Sequence, residues 1–223
     1  MLKAAIFDMD GTMVDSELIQ SQGFETVLRD EYGIVAEKTE HGTVHIPGMT
    51  SNEAWEILKQ KHGFEADVDE LTTRKRAAVM AALESNLEPM PGLVDLLVDL
   101  RQHDVVMAIA TSAKRDRAQL IGEKLGVLGY FALTISGDDV DKVKPAPDAY
   151  LAAAEGLGVL PSECVVFEDA DVGVESAKAA GMKVIAIPNL YTRKMDFGRA
   201  DLIVNSLEDT SYQVAADLFA ENN

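Results

Sequence analysis

The distance between the first two strands constrains this chain most. A short apolar run from Ala4 to Phe7 ends in Asp8, and the next clear one, Val105 to Ala110, ends in Thr111, 103 residues later. A strand–helix–strand unit needs only about 30 residues or somewhat more, so a segment is inserted between the two. Further runs follow at short intervals, at Leu133 to Ile135, Cys164 to Phe167, Val184 to Ile187 and Leu202 to Val204. Most are continuously apolar rather than alternating, which predicts strands covered on both faces, as in a parallel sheet between helices. Amphipathic stretches at Leu93 to Gln102, Arg115 to Leu125, Ala149 to Leu157, Val172 to Ala180 and Leu207 to Phe219 supply those helices. Gly126, Gly158 and Gly181 fall where helices should stop.

The expected fold class is therefore α/β, a doubly wound, mostly parallel sheet forming a Rossmann-like core, with an inserted all-α cap domain. From about Ser16 to Asn86 the pattern is helical, at Leu18 to Glu31, Asn52 to His62 and Val68 to Leu83, and no convincing strand interrupts it. The segment Glu88-Pro89-Met90-Pro91-Gly92 supplies the punctuation of a linker returning to the core. The expected domains are residues 1–15 and 88–223 as the catalytic core and 16–87 as the helical cap, with hinges near Met13 to Ser16 and Asn86 to Pro91. Trp55, Ile57 and Leu58 are expected in the cap's own core. His41 and His45 are four apart, but Gly42 and Pro47-Gly48 argue against the helix that would align them and no cysteine joins them, so a zinc site is not expected there.

At 223 residues and 47% apolar content, the chain can bury a real core in one large domain or a domain with an insert. Its 38 acids against 20 bases give a formal charge of −18, which repels nucleic-acid backbones and anionic lipid heads. Neither is an expected partner, and an anionic ligand would need a local positive centre. Cys164 is the single cysteine, so no intramolecular disulfide forms and a reducing compartment is the easier one. The N-terminal run meets charge too early for a signal peptide, and no apolar run nears the roughly 18 residues a membrane span needs. A soluble, cytoplasmic monomer is the default expectation.

Ligands of open parallel sheets bind beyond the carboxyl ends of the strands. There the chain places Asp8-Met9-Asp10-Gly11-Thr12 after the first strand, Thr111-Ser112 after the second, Lys144-Pro145 after the third and Glu168-Asp169 at the end of the fourth. Four carboxylates in one pocket would force some to protonate unless a cation neutralises them. Oxygen donors without a nearby histidine or cysteine favour Mg²⁺, which retains waters that a phosphate can replace. An aspartate kept ionised in this way can attack phosphorus and form an aspartyl-phosphate. Lys144, the hydroxyls and helix-terminal N–H groups would hold the phosphoryl oxygens, and protonated Asp10 could supply a leaving oxygen with its proton. Structural readings stand beside these. Acids such as Glu168 and Asp169 also cap helices, Ser112 suits the N-cap of the helix after it, and Lys144 can be an ordinary surface cation.

These motifs in order, together with Val14-Asp15-Ser16-Glu17, Pro145-Ala146-Pro147-Asp148, Gly173-Val174 and Ala180-Gly181-Met182, resemble the haloacid dehalogenase superfamily. Within it they look most like the small helical-cap branch of sugar-phosphate phosphatases and β-phosphoglucomutase. The resemblance covers Met1 to Asp15 and Met90 to Pro188. It implies Asp8 as nucleophile and Asp10 as general acid and then base. It further implies Mg²⁺ held by Asp8, the Asp10 backbone carbonyl and Asp169, with Glu168 in support, and phosphate bound by Lys144 and by Ser112 or Thr111. Dehalogenases of this fold lack an aspartate at the Asp10 position and phosphonate hydrolases have a small residue there, which disfavours both. The chain departs from the family pattern at Val143, where glycine is common, and at Ala170, where serine is common.

The expected function is a Mg²⁺-dependent phosphatase acting on a small, sugar-like phosphorylated metabolite, with the cap excluding water during transfer. A phosphosugar mutase would use the same core. The cap segment Gly48-Met49-Thr50-Ser51-Asn52-Glu53-Ala54 resembles the family's specificity segment but lacks the arginine that often binds a second phosphate in mutases. A phospho-receiver signalling domain also combines carboxylates, a hydroxyl and a lysine. Its acceptor, however, does not end the first strand, and neither Asp10 nor the cap has a role in it.

Overall fold

In the computed structural model, which describes residues 1–45, 49–84 and 87–220, the chain forms two compact units, Ser16–Leu87 and the combination of Met1–Asp15 with Glu88–Asn223. The second holds six parallel strands, β1 (Ala4–Phe7), β2 (Val106–Ala110), β3 (Leu133–Ile135), β4 (Cys164–Glu168), β5 (Lys183–Ala186) and β6 (Leu202–Ile203), in the spatial order β3-β2-β1-β4-β5-β6. β1 sits at the centre, with Phe7 level with Ile109 of β2 and Phe167 of β4. Successive residues of β1 and β4 are buried on both sides, which explains why these strands read as unbroken apolar runs. One face packs Ala4, Ile6, Ala108, Ala110, Val166, Val184 and Ala186 against Tyr150, Ala153 and Ala154 of α6 (Asp148–Leu157) and Val174 and Ala177 of α7 (Asp171–Ala179). On the other face Phe7 stacks on Phe167 at 4.6 Å and meets Phe131 edge-on at 5.8 Å.

The remaining helices of this unit are α4 (Leu93–Gln102), α5 (Arg115–Leu125) and α8 (Tyr212–Asp217). The C-terminal helix expected over Leu207 to Phe219 is split instead. A single 3₁₀ turn covers Leu207–Asp209, Thr210 and Ser211 are extended, and α8 starts afresh with the Ser211 side chain accepting from Val214 N. Hydrophobic periodicity runs across the break, but Thr210 Oγ1 donates to the Leu207 carbonyl, the acceptor a continuous helix would have used.

The inserted unit consists of α1 (Glu17–Tyr32), α2 (Ser51–His62) and α3 (Val68–Leu83). Its core joins Phe24, Val27, Leu28, Val44, Ala54, Trp55, Leu58 and Leu71. Ile57 is not part of it. At 43% exposure it faces solvent, because the inward stripe of α2 runs through Ala54, Trp55 and Leu58 and leaves the intervening position outside. His45 accepts from or donates to Glu17 at 2.7 Å and lies against the Phe24 ring, while His41 lies beside Glu40. The two crossings between units are held side by side, Val14 bridging Pro89 and Met90 N donating to the Met13 carbonyl. Of the expected hinges and cap segment, Asn86 and Gly48 lie outside the described residues, as does Pro47. No helix among the described residues is long and apolar enough to cross a membrane.

Candidate active site

The chain moves outward in opposite directions from β1, to β2 and β3 on one side and to β4, β5 and β6 on the other, so a crevice opens beyond the carboxyl ends of β1 and β4. Asp8 extends β1 there, its N–H donating to the Phe167 carbonyl at 3.0 Å, and Glu168 and Asp169 end β4 opposite it. All three carboxylates are buried, and one oxygen from each lies within 4.8 Å of the others.

Lys144 binds this group together. Its side chain is 6% exposed, and Nζ donates to Asp8 Oδ1 at 2.5 Å, Glu168 Oε1 at 2.7 Å and the Ala110 carbonyl at 3.1 Å. Three acceptors thus surround the ammonium, and the last ties the end of β2 to the site. Ser176 on α7 fixes the lysine's loop by donating to the Ala146 carbonyl at 2.6 Å. Burial by itself would lower the Lys144 pKa, but Asp8 and Glu168 outweigh it and hold the group well above its usual value. Burial pushes the Asp8 carboxyl up to about 7, opposed by Lys144 and assisted by Glu168. Asp169 is raised well above the carboxylate range, first by burial and then by Glu168 and Asp8.

Glu168 is fully engaged. Oε1 accepts from Lys144 and from the Tyr150 hydroxyl at 2.7 Å, and Oε2 accepts from the N–H groups of Asp169 and Ala170 at 3.0 and 3.2 Å. Gly173 makes room for it, since a Cβ there would fall closer than 3.0 Å to the carboxylate carbon and both oxygens. Helix propensity alone would make Gly173→Ala stabilising by about 1 kcal/mol. The overlap reverses the sign, and a loss of about 1–3 kcal/mol or more is expected in urea unfolding. An alanine variant as stable as the wild type would show that Glu168 does not need this space.

Asp169 is oriented by two donors, Asn189 Nδ2 to Oδ2 at 2.8 Å and Thr12 Oγ1 to Oδ1 at 3.4 Å. The Asn189 amide is itself fixed, its oxygen accepting from Tyr191 N and Thr192 N. Gly11, at φ +84°, closes a tight turn with its N–H donating to the Val14 carbonyl, and a Cβ there would collide with the Asp169 carboxylate. At this turn both oxygens of Asp10 are forked by Arg117 of α5: Nη1 donates to Oδ2 at 3.0 Å and Nη2 to Oδ1.

Thr111 is buried just past β2, its hydroxyl accepting from Ala113 N at 3.0 Å, and Ser112 beside it is exposed. Ser112 is not the helix cap that its position suggests, because α5 begins at Arg115 with Lys114 as N-cap. The first N–H of α5 is taken by Asp138 Oδ2 at 2.9 Å, and at α7 Val172 N donates to Asp171. One N–H at the start of each of these helices is thus taken by an acid, and the cations paired with the acidic groups are Lys144 and Arg117. Arg117, Tyr150 and Asn189 were not among the expected residues. Asn189 follows β5 on the same sheet edge and the edge rule reaches it. A tyrosine in the alanine-rich stripe of α6 carries a hydroxyl that burial obliges to find a partner. Nothing in the sequence separates Arg117 from the neighbouring Lys114 and Arg115.

The sequence pattern of haloacid dehalogenase-like hydrolases matches residues 5–187. The chain belongs to this family. Protein CbbY of Rhodobacter capsulatus is 31% identical over 97% of this chain and 99% of its own. Fructose-1-phosphate phosphatase YqaB of Escherichia coli K12 is 33% identical over 82% of this chain and 94% of its own. A crystal structure described as a putative β-phosphoglucomutase from Thermotoga maritima superposes with a TM-score of 0.77 at 28% identity, covering 93% of this chain and 96% of that one. As a member of this hydrolase family, the chain carries its acidic cluster at the edge that an α/β sheet of this order offers to ligands.

The donor set fits a hard divalent cation. Lys144 pairs with Asp8 and Glu168, and Arg117 with Asp10; with Asp169 beside them, the four carboxyls when ionised carry two more charges than these two cations. The clustered donors are carboxylate oxygens with no histidine or cysteine among them, the combination that suits Mg²⁺.

Proposed function

We propose that this protein is a Mg²⁺-dependent phosphatase that hydrolyses a small, sugar-like phosphomonoester through an aspartyl-phosphate on Asp8. The observation that carries the reading is the buried Asp8 carboxylate at the sheet's crevice, one oxygen held by Lys144 at 2.5 Å. With Oδ1 so engaged, Oδ2 is the attacking atom. Its bond to phosphorus forms as the bond to the sugar oxygen breaks, and Asp10 delivers a proton to that oxygen. Asp10 then takes a proton from the water that attacks the aspartyl-phosphate, releasing inorganic phosphate and restoring Asp8. Lys144, Thr111 and Ser112 hold the phosphoryl oxygens. Asp8, Asp169 and the Asp10 carbonyl are the ligands proposed for Mg²⁺, and Glu168 fixes Lys144 and the Asp169 turn beside them. Bound Mg²⁺ neutralises the excess negative charge and lets Asp8 stay ionised near a phosphate dianion.

The sugar-like substrate is supported by the similarity to a fructose-1-phosphate phosphatase, and residues 16–87 are proposed as the cap that selects it. The test is a panel of phosphorylated metabolites with Mg²⁺, read as inorganic phosphate, with glucose 1-phosphate isomerisation followed in parallel because of the mutase-like neighbour. Steady phosphate release is expected, and it stops with a chelator. No release from any ester would overturn the reading, and isomerisation without release would replace it by the mutase.

A pH-dependent effect of Mg²⁺ on melting is also expected. The folded pKa of Asp8, about 7, lies above its unfolded value of 3.8. The stability this group contributes to the metal-free protein is therefore complete below the unfolded value and lost as pH rises through 7. Mg²⁺ competes with that proton, so the rise in Tm on adding Mg²⁺ should be larger at pH 8 than at pH 5. Equal shifts at both would place the metal elsewhere.

A further inference from the structure

The cations at the start of α5 differ sharply in placement. Lys114 and Arg115 are exposed; the Arg115 side chain pairs with Asp139 while its backbone N–H donates to Asp138. Arg117, the third residue of the helix, turns inward with its side chain only 14% exposed and grips both oxygens of Asp10, which is itself 32% exposed. Both partners are mounted on rigid supports. Ala118 and Ile121 anchor α5 in the core, and the Gly11–Val14 turn fixes the Asp10 backbone. A planar guanidinium forked onto a carboxylate fixes its torsion as well as its distance, and a lysine at the same place would fix only the distance.

We propose that Arg117 is the positioning residue for Asp10, setting the orientation from which that carboxyl meets the leaving oxygen of the substrate. This rests on the reading of Asp10 as the proton donor to the leaving group. Arg117 need not touch the substrate. Its effect passes through Asp10 and depends on how much the leaving oxygen needs a proton. A sugar alkoxide is a poor leaving group and needs one, whereas p-nitrophenolate leaves unaided.

The experiment measures kcat/KM, which reports the steps up to departure of the leaving group, for p-nitrophenyl phosphate and for the best sugar phosphate of the panel. Arg117→Gln is expected to lower kcat/KM for the sugar phosphate by about 10- to 100-fold, the scale on which a misplaced catalytic group acts, with p-nitrophenyl phosphate little changed. Arg117→Lys should recover only part of the loss. In the Asp10→Asn background, Arg117→Gln should add nothing further.

Several outcomes overturn the proposal. They are equal losses on both substrates, full recovery by lysine, a further loss in the Asp10→Asn background, or faster turnover of the sugar phosphate by Arg117→Gln. The underlying reading fails separately. If Asp10→Asn itself affects both substrates equally in kcat/KM, Asp10 is not the proton donor, whatever Arg117 does. A melting curve of each variant accompanies the kinetics, and the ratio between the two substrates is unaffected by a fraction of unfolded protein.

Discussion

Asp8→Asn is expected to abolish phosphate release while the metal-free protein melts at or above the wild-type temperature at pH 8. The two halves have different causes. Removing the nucleophile of a covalent mechanism costs about 10⁴-fold or more in turnover, because an amide oxygen cannot form the aspartyl-phosphate. The stability half follows from burial. Asp8 holds a carboxyl raised to about 7, so at pH 8 the metal-free fold carries an ionised group it would rather protonate, a penalty the neutral amide removes. Lys144 still has Glu168 and the Ala110 carbonyl to donate to. The wild type should therefore lose stability between pH 5 and pH 8 in the absence of Mg²⁺, and the variant should lose less. Enzyme activity and melting temperature, measured on the same samples, check both halves. Activity within tenfold of wild type would exclude Asp8 as the nucleophile, and a large fall in melting temperature would mean that Asp8 serves the fold as a paired charge.

The parallel sheet was legible because its central strands are buried on both faces, and such burial leaves short apolar runs that turn residues bound. The position of the acidic cluster followed from the same pattern, since the residue after each run must lie at the carboxyl edge. Legibility ended where a side chain's partner comes from another element. The Asp10–Arg117 fork joins residues 107 apart, and neither has a neighbour in sequence that announces the other. Ile57 was misplaced for a related reason. Apolar character suggests burial, but one position around a helix separates the inward stripe from solvent, and Trp55 and Leu58 had already filled the inward side. At Thr210 a hydroxyl competing for one carbonyl decided the end of a helical turn that the hydrophobic pattern ran straight through. By contrast, the pairing of Glu168 with Gly173 is a spacing requirement written into the sequence, whose cause shows only when a carboxylate occupies the place a Cβ would take.

Lys144→Met is expected to be the most destabilising single change at the site. Nζ satisfies two buried carboxylates and a carbonyl, and methionine fills a similar volume but pairs none of them. Leaving such charges uncompensated costs about 3–5 kcal/mol, or about 10 °C in Tm for a chain of this size. The comparison that isolates the charge is Tyr150→Phe. It keeps the ring beneath Lys144, whose Nζ lies 4.7 Å from the ring centre, and removes only the hydroxyl on Glu168 Oε1, a loss of about 1–3 kcal/mol. The two side chains share that oxygen, so their effects should not add. The deficit of Lys144→Met should shrink as pH falls, because a protonated Asp8 needs no cation. Mg²⁺ should restore part of the stability by supplying positive charge, yet activity should stay lost because the phosphoryl oxygens lack the ammonium that holds them. Melting of the methionine variant within a degree or two of wild type at pH 8 without Mg²⁺ would mean that the carboxylates do not depend on Lys144, and the electrostatic account of the site would fall with it.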